Sequence, residues 1–110
     1  MDFKAKAILK VKDKEKGWIS KEVIVDSVKA IRDIFAPEQE GVSQVNLSLN
    51  SKVYYSVRLM KDGVDAKVVD QDGDMQFMCS PILLVECDNT KPIDISDKML
   101  KEMEEAIVFY

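Results

Sequence analysis

Alternating aspartates in the segment 70–74 are the residues whose type and spacing come nearest to a metal site. The segment reads Asp-Gln-Asp-Gly-Asp, and carboxylates at alternate positions are typical of the start of a helical calcium loop. Such a loop also needs glycine at its sixth position and glutamate at its twelfth, whereas here glycine is fourth and the twelfth residue is Pro81. The Asp-Gly pair instead predicts a hairpin tip, so we expect no metal and no cofactor.

Lysines on and just after the first predicted strand could instead meet phosphate groups. An evenly spaced row of cations can follow a nucleic-acid backbone, but aromatic stacking partners usually accompany it, and this face offers only Ile8. A solvated face, or an edge strand whose lysines discourage aggregation, is the simpler interpretation. The row consists of Lys4, Lys6, Lys10, Lys12, Lys14 and Lys16.

The chain has no histidine, which removes the commonest general base near neutral pH and the usual zinc ligand. Its four glycines form no phosphate-binding loop. Cys79 and Cys87 would be about 26 Å apart along a strand, and a disulfide allows about 7 Å, unless Pro81 folds the chain back. We expect both cysteines to be reduced core residues, and we expect the protein not to be an enzyme.

The composition fits one domain over residues 1–110, with 46% apolar and 33% charged residues. The net charge of −4 combines +3 over residues 1–35, nine basic and six acidic, with −7 over residues 36–110, seven basic and fourteen acidic. This balance disfavours phosphate binding over a wide surface. The first residues lack the apolar core of a signal peptide and no apolar run could span a bilayer, so we expect a cytoplasmic protein.

Periodicity predicts one strand and two helices outside the middle of the chain. Alternation over residues 3–12 predicts a strand with one buried face. Ser20 is expected to cap a helix that ends before Pro37, because the residue before a proline is pushed out of helical geometry. A second helix is predicted to begin after Ser96 and to reach the end of the chain. Its apolar stripe would consist of Leu100, Met103, Ile107 and Tyr110.

Between residues 41 and 87 the sequence predicts an antiparallel meander. Asp-Gly pairs at 62–63 and 72–73 both indicate two-residue hairpin turns. The second turn would pair Val68 with Phe77, and the first agrees with it on a single buried face. Pro81 is expected to interrupt the last strand. The central buried row would consist of Val45, Val57, Val68 and Phe77.

The predicted fold is α+β with element order β-α-β-β-β-β-α, in which the meander sheet carries both helices on one face. The opposite, outer face would then have no cover. Large apolar side chains that are contiguous in water are typical of a contact with a partner or with a second copy of the chain. The predicted partner-binding residues of that face are Tyr54, Arg58, Met60, Lys67, Val69 and Met78.

These features favour a non-catalytic, cytosolic protein-interaction module of the small acidic inhibitor, immunity, anti-defence or chaperone type. An acidic surface would steer it towards a basic protein partner and an apolar patch would hold that partner, while a homodimer contact is the other use of the same face. The alternative is a nucleic-acid-associated protein that uses the lysine row. A small-ligand pocket between sheet and helices fits the tight aliphatic pattern less well, and no membrane role is expected.

Overall fold

The computed structural model describes residues 3–35, 42–46, 51–57, 64–70, 72–89 and 91–110. These ranges contain eight strands and two helices, so the fold is α+β and is built on an antiparallel sheet. In chain order the elements are β1 (Ala5–Asp13), β2 (Gly17–Val25), α1 (Val28–Ile34), β3 (Val42–Asn46), β4 (Lys52–Val57), β5 (Ala66–Val69), β6 (Met75–Asp88), β7 (Lys91–Ile93), α2 (Asp97–Ala106) and β8 (Ile107–Phe109).

The long strand β6 organises the sheet, because four other strands pair with it. Residues 82–84 lie between β1 and β4, and β2 and β3 extend the sheet outward to give the order β2-β1-β6-β4-β3. The first residues of β6 pair with β5, which in turn pairs with β8, and the last residues pair with β7. The sheet is therefore antiparallel as predicted, but the strands between residues 41 and 87 do not form a meander, since β4 pairs with β6 rather than with β5, the next strand along the chain.

Of the segment predicted as the first helix, residues 28–34 do form the helix α1, but residues 21–25 belong to the strand β2. The strand β2 forms a hairpin with β1, and its first residue, Gly17, has a φ of 76°, a left-handed conformation that favours glycine. The helix α1 begins only at Val28, where the Ser27 hydroxyl accepts the N–H of Ala30 at 3.0 Å. The expected cap at Ser20 is wrong, because Ser20 pairs with Lys10 of β1 and the consecutive β-branched residues Val23, Ile24 and Val25 favour the strand that continues from it.

The sheet is buried on both faces, and the two helices lie on opposite faces. In β6 the neighbouring residues Leu83 and Leu84 are both fully buried, although they point in opposite directions. Leu84 belongs to a cluster that contains Met103 of α2, and Leu83 belongs to a separate cluster that contains Phe35 at the end of α1. The prediction of both helices on one face is wrong, because a strand buried on both sides needs a cover on each.

The hairpin between β5 and β6 differs by one residue from the predicted register. Val69 pairs with Met75 and Lys67 with Phe77, so the connection spans residues 70–74 rather than two residues. Because side chains alternate along a strand, this odd shift turns each β6 residue to the other face. Phe77 is 51% exposed and its neighbour in sequence is fully buried, the reverse of the prediction.

The predicted central row of Val45, Val57, Val68 and Phe77 is therefore not formed. Val57 pairs with Cys79 of β6 rather than with a residue of β5, and Val45 lies opposite Tyr54. Val68 is buried as expected. The strand β6 continues through Pro81, whose peptide bond with the preceding residue is cis, but its pairing with β4 shifts register there, from Ser56 opposite Ile82 to Val57 opposite Cys79. The other predicted Asp-Gly turn, at 62–63, lies outside the described residues.

The second helix begins as predicted, but it ends earlier. The Ser96 hydroxyl caps α2 by accepting the N–H of Met99 at 3.1 Å. Its predicted apolar stripe is divided between two elements. Met103 is fully buried on the inner side of α2, whereas Ile107 is the first residue of the short strand β8. Within the described part of the chain, neither helix has the length and apolar character needed to cross a membrane.

The register of the β5–β6 hairpin predicts opposite outcomes for two adjacent substitutions. Met78→Asp should cost about 3 kcal/mol or more of the free energy of unfolding, because it buries a charge among apolar side chains. Phe77→Asp should cost less than about 1 kcal/mol, since the new carboxylate is exposed and lies opposite Lys67. Urea denaturation of both variants measures the difference. A larger loss of the free energy of unfolding for Phe77→Asp than for Met78→Asp would instead support the register of a two-residue turn.

Candidate functional site

Five large apolar side chains are exposed together on one side of the strands β8, β5 and β6. Their exposed fractions lie between 42% and 51%. Within the described residues only Ile24 and Val28 are comparably exposed elsewhere. The register makes the five neighbours, since Lys67 lies between Phe77 and Val108 on adjacent strands. We call this surface the β5–β6–β8 face, and it consists of Val69, Met75, Phe77, Val108 and Tyr110 around Lys67.

The opposite side of the same three strands belongs to the core. Ala66, Val68 and Met78 are at most 2% exposed, and they pack in the cluster that α2 covers. The cluster beneath α1 draws on β1, β2, β4 and β6 but takes no described residue from β5 or β8. Because α1 has only seven residues, its cover stops before these strands, and their outer side remains in contact with water.

The cations near the β5–β6–β8 face already interact with groups of the same chain. The Lys67 Nζ lies 5.8 Å from the centroid of the Tyr110 ring, within the range of a cation–π contact. At one edge, the Lys12 Nζ lies 3.7 Å from the Asp65 Oδ1. The N–H of Tyr110 donates to the Asp65 carbonyl at 2.9 Å, which extends β8 along β5 to this edge.

The aspartates of the β5–β6 connection lie at the other end of the face. The Asp70 Oδ1 accepts the N–H groups of Asp72 at 2.9 Å and of Asp74 at 3.0 Å, and its Oδ2 accepts from the Gln76 amide at 2.7 Å. The Gln76 hydrogen bond, aided by the two backbone bonds, holds the pKa of the Asp70 carboxyl below its usual value. Gly73 completes the loop with a φ of 84°.

Three carboxylate oxygens, one from each of Asp70, Asp72 and Asp74, lie within 4.8 Å of one another. Among the described residues, this cluster comes closest to the arrangement of a cation site. Asp70 is nevertheless used to shape the loop. Asp72 and Asp74 are exposed and form no ion pair within the described ranges. Among the described residues they therefore leave negative charge without a paired cation beside Val69 and Met75.

The structure brings only some of the predicted partner-binding residues together. Lys67 and Val69 lie on the β5–β6–β8 face, as a half-buried and an exposed residue respectively. Tyr54 and Met78 are both fully buried in the cluster under α2, so their predicted outward orientation is wrong. The two remaining residues of the prediction, Arg58 and Met60, lie outside the described residues.

Four members of the face were missed, and two of them, Met75 and Phe77, were missed because a two-residue turn places them on the buried face. An aspartate that starts a loop often accepts the N–H two residues ahead, and Asp70 does this with Asp72. Counting the loop from Asp70 would have given the observed register and turned Phe77 outward. Val108 and Tyr110 were assigned to the second helix, and their alternation with the half-buried Phe109 is a three-residue signal only.

The lysines of β1 do not form a continuous cationic surface. Lys10 is buried, and its Nζ donates to the Ser20 hydroxyl at 2.6 Å and to the carboxylate of Glu104. The same Nζ lies 6.0 Å from the centroid of the Phe109 ring. Since β1 has neighbours on both sides, it is not an edge strand, and the expectation of a solvated face is wrong at Lys10.

Ion pairs and an indole contact join α2 and β8 to the rest of the sheet. A second sheet lysine, Lys52, has its Nζ 3.7 Å from the Glu102 carboxylate of α2. The rings of Trp18 and Phe109 have centroids 4.8 Å apart, and the Trp18 indole N–H donates to the Tyr110 carbonyl at 3.0 Å. These contacts hold β8, which carries Val108 and precedes Tyr110, on the side opposite the β5–β6–β8 face.

Both cysteines are buried thiols and neither forms a disulfide, as predicted. Burial raises the pKa of the Cys79 thiol, and the neighbouring Asp65 carboxylate raises it further. Burial likewise raises the pKa of Cys87, with an added contribution from Glu86. A thiol is nucleophilic as the thiolate, so these environments suit core residues rather than a reactive site.

No protein-family model, curated protein or solved structure matches this chain. The geometry of the described residues, with the β5–β6–β8 face as its most distinct surface, is therefore the basis for a functional inference.

The Lys10–Glu104 pair predicts an asymmetric response to the loss of either partner. Glu104→Gln should cost about 1–3 kcal/mol of the free energy of unfolding, because it leaves a buried ammonium without its anion. Lys10→Met should cost less than about 1 kcal/mol, since the Glu104 side chain is 38% exposed and water can solvate it. Lys29→Met, in an exposed pair with Asp33, is the control and should change stability by less than about 0.5 kcal/mol. A larger loss for Lys10→Met in urea denaturation would contradict this account.

Burial of neutral acids predicts a loss of stability at alkaline pH. Burial raises the pKa of Tyr54, Tyr55 and both thiols, so the unfolded chain ionises more readily than the folded chain. Their contribution is complete below the ordinary thiol value of 9.0 and is lost progressively above it. The urea concentration at the midpoint of unfolding should therefore decrease as the pH rises from about 8 to about 10. In the double variant Cys79→Ala/Cys87→Ala the fall should begin later, and an unchanged onset would contradict the assignment to the thiols.

Proposed function

We propose that this chain is a non-catalytic protein-interaction module that binds its partner through the β5–β6–β8 face. The observation that supports the proposal is that five large apolar side chains, each exposed by 42% to 51%, are gathered on one sheet surface. Contiguous exposed apolar groups are typical of a protein contact, whereas single ones are ordinary. Phe77 and Tyr110 supply aromatic rings, the type of side chain that often contributes most to the binding energy.

The packing of α2 against the opposite side of the same strands supports a binding role as well. Its side chains project from three paired strands, and the other side of those strands is packed against α2. A partner would therefore meet a surface whose backbone is already ordered. Such a surface loses little conformational entropy on association, which favours affinity.

Chemical groups that would support other functions are poorly represented. The whole chain lacks histidine, which supports a role without catalysis. A role in binding nucleic acid is less well supported, since Lys10 is engaged by Glu104 and Lys12 by Asp65. The two reduced thiols support a cytoplasmic location, where disulfides are rare.

A pair of double variants tests the proposal. Phe77→Ser/Val108→Ser removes apolar groups from the face, and Ile24→Ser/Val28→Ser removes two side chains that are 57% and 61% exposed elsewhere. Beads that carry each protein would be incubated with an extract of the native host, and bound proteins would be quantified by mass spectrometry. We expect the first variant to lose specific partners by about tenfold or more and the second to keep them.

Thermal melts must show that both variants stay folded, which exposed positions allow. Partners that bind both variants as well as the unchanged protein would contradict a role for the face. Loss of the same partners from both would show that general surface hydrophobicity, and not this face, accounts for capture.

A further inference from the structure

The two ends of the β5–β6–β8 face differ in charge, and this difference bears on what the face binds. Val69 and Met75 form the last pair before the connection that holds Asp72 and Asp74. Ile107, the first residue of β8, pairs with Val68, so the C-terminal end of α2 with its exposed Glu105 lies at this same end. The apolar surface is therefore bordered at one end by carboxylates.

These carboxylates are not neutralised within the described part of the chain. Asp72 and Asp74 form no ion pair there, while the nearby cations Lys12 and Lys67 are engaged by Asp65 and by the Tyr110 ring. The C-terminal end of a helix adds partial negative charge to the same border. Cations that approach within about 8–10 Å of these groups would be attracted before salt screens them.

We infer that the partner is a basic protein segment, one that presents apolar side chains flanked by lysine or arginine. This inference rests on the proposed function and names the chemistry that the same face would select. The apolar groups would enter the contact with Phe77 and its neighbours, and the basic groups would lie against Asp72 and Asp74. Complementary charge at the border of an apolar contact favours the correct orientation and a fast encounter.

A second copy of the chain fits this surface less well. Each copy carries the same carboxylate border and a net charge of −4. The cations described beside the face, Lys12 and Lys67, are already engaged within their own chain. Like charges across an interface oppose association, so the uncompensated aspartates select against self-association.

Synthetic peptides without tryptophan test the inference directly. Three amphipathic peptides would share the same leucine positions and carry lysine, glutamine or glutamate at every polar position. Trp18, the single tryptophan of the chain, contacts Phe109 behind the face and provides a fluorescence signal, while the amide resonances of Phe77 and Val108 locate the binding. We expect the lysine peptide to bind at least about tenfold more tightly than the glutamate peptide, with affinity that falls as salt rises.

Matched variants separate charge from apolar contact. Asp72→Asn/Asp74→Asn should weaken the lysine peptide by about two- to thirtyfold and leave the glutamine peptide unchanged. Asp26→Asn/Asp88→Asn makes the same change in net charge at exposed sites at the opposite end of the sheet, and should alter binding by less than about twofold. Phe77→Ser should weaken all peptides that use the face.

The outcomes distinguish the two levels of the proposal. Equal binding of the three peptides, all weakened by Phe77→Ser, would overturn the basic partner and leave the face as a binding site. Lysine-peptide binding that shifts other resonances and ignores Phe77→Ser would count against the face itself. No binding of the lysine peptide, or a homodimer in sedimentation that Phe77→Ser dissociates, would also overturn the inference of a basic partner.

Discussion

Burial of the middle of β6 on both of its faces is the constraint on which the remaining structure depends. Residues 82–85 are all fully buried, so alternate side chains need apolar cover from opposite directions. The helix α2 provides one cover and α1 provides the other. Because β2 extends to Val25, α1 begins only at Val28, has seven residues and covers only part of its face. The exposed β5–β6–β8 face is the part of the same side that α1 does not reach.

Sequence periodicity was sufficient for elements whose pattern has one interpretation. The alternation of β1 and the capped start of α2 were predicted, as were the α+β class and an antiparallel sheet. The segment around β2 was not, because Ile24, Val28, Ile31 and Phe35 happen to be spaced as a helical stripe. In the structure the first two are exposed and only the last two are buried. Tertiary pairing with β1 therefore overrode the first part of the local helical pattern, whereas its second part forms α1.

The candidate site was harder to predict, since the residues that form it depend on whether the hairpin loop has an odd or an even number of residues. One residue more or less in a hairpin loop exchanges the two faces of a strand, and local sequence signals for loop length are weak. The run from Ile82 to Val85 did carry information that the prediction left unused. Four consecutive apolar residues without alternation are typical of a strand that is covered on both sides. That pattern argues against two helices on one face, although it does not say which residues of β5 and β8 would be left exposed.

The apolar face and its acidic border have a common origin in the Asp70 carboxylate. By accepting the N–H groups of Asp72 and Asp74, this carboxylate closes a five-residue loop and so turns Met75 and Phe77 outward. The same hydrogen bonds fix the two following aspartates at the end of the surface that the loop creates. A shorter turn would bury Phe77. One side chain thereby links the register of the hairpin, the exposure of the apolar groups and the charge beside them, and these are the properties on which selection of a partner would depend.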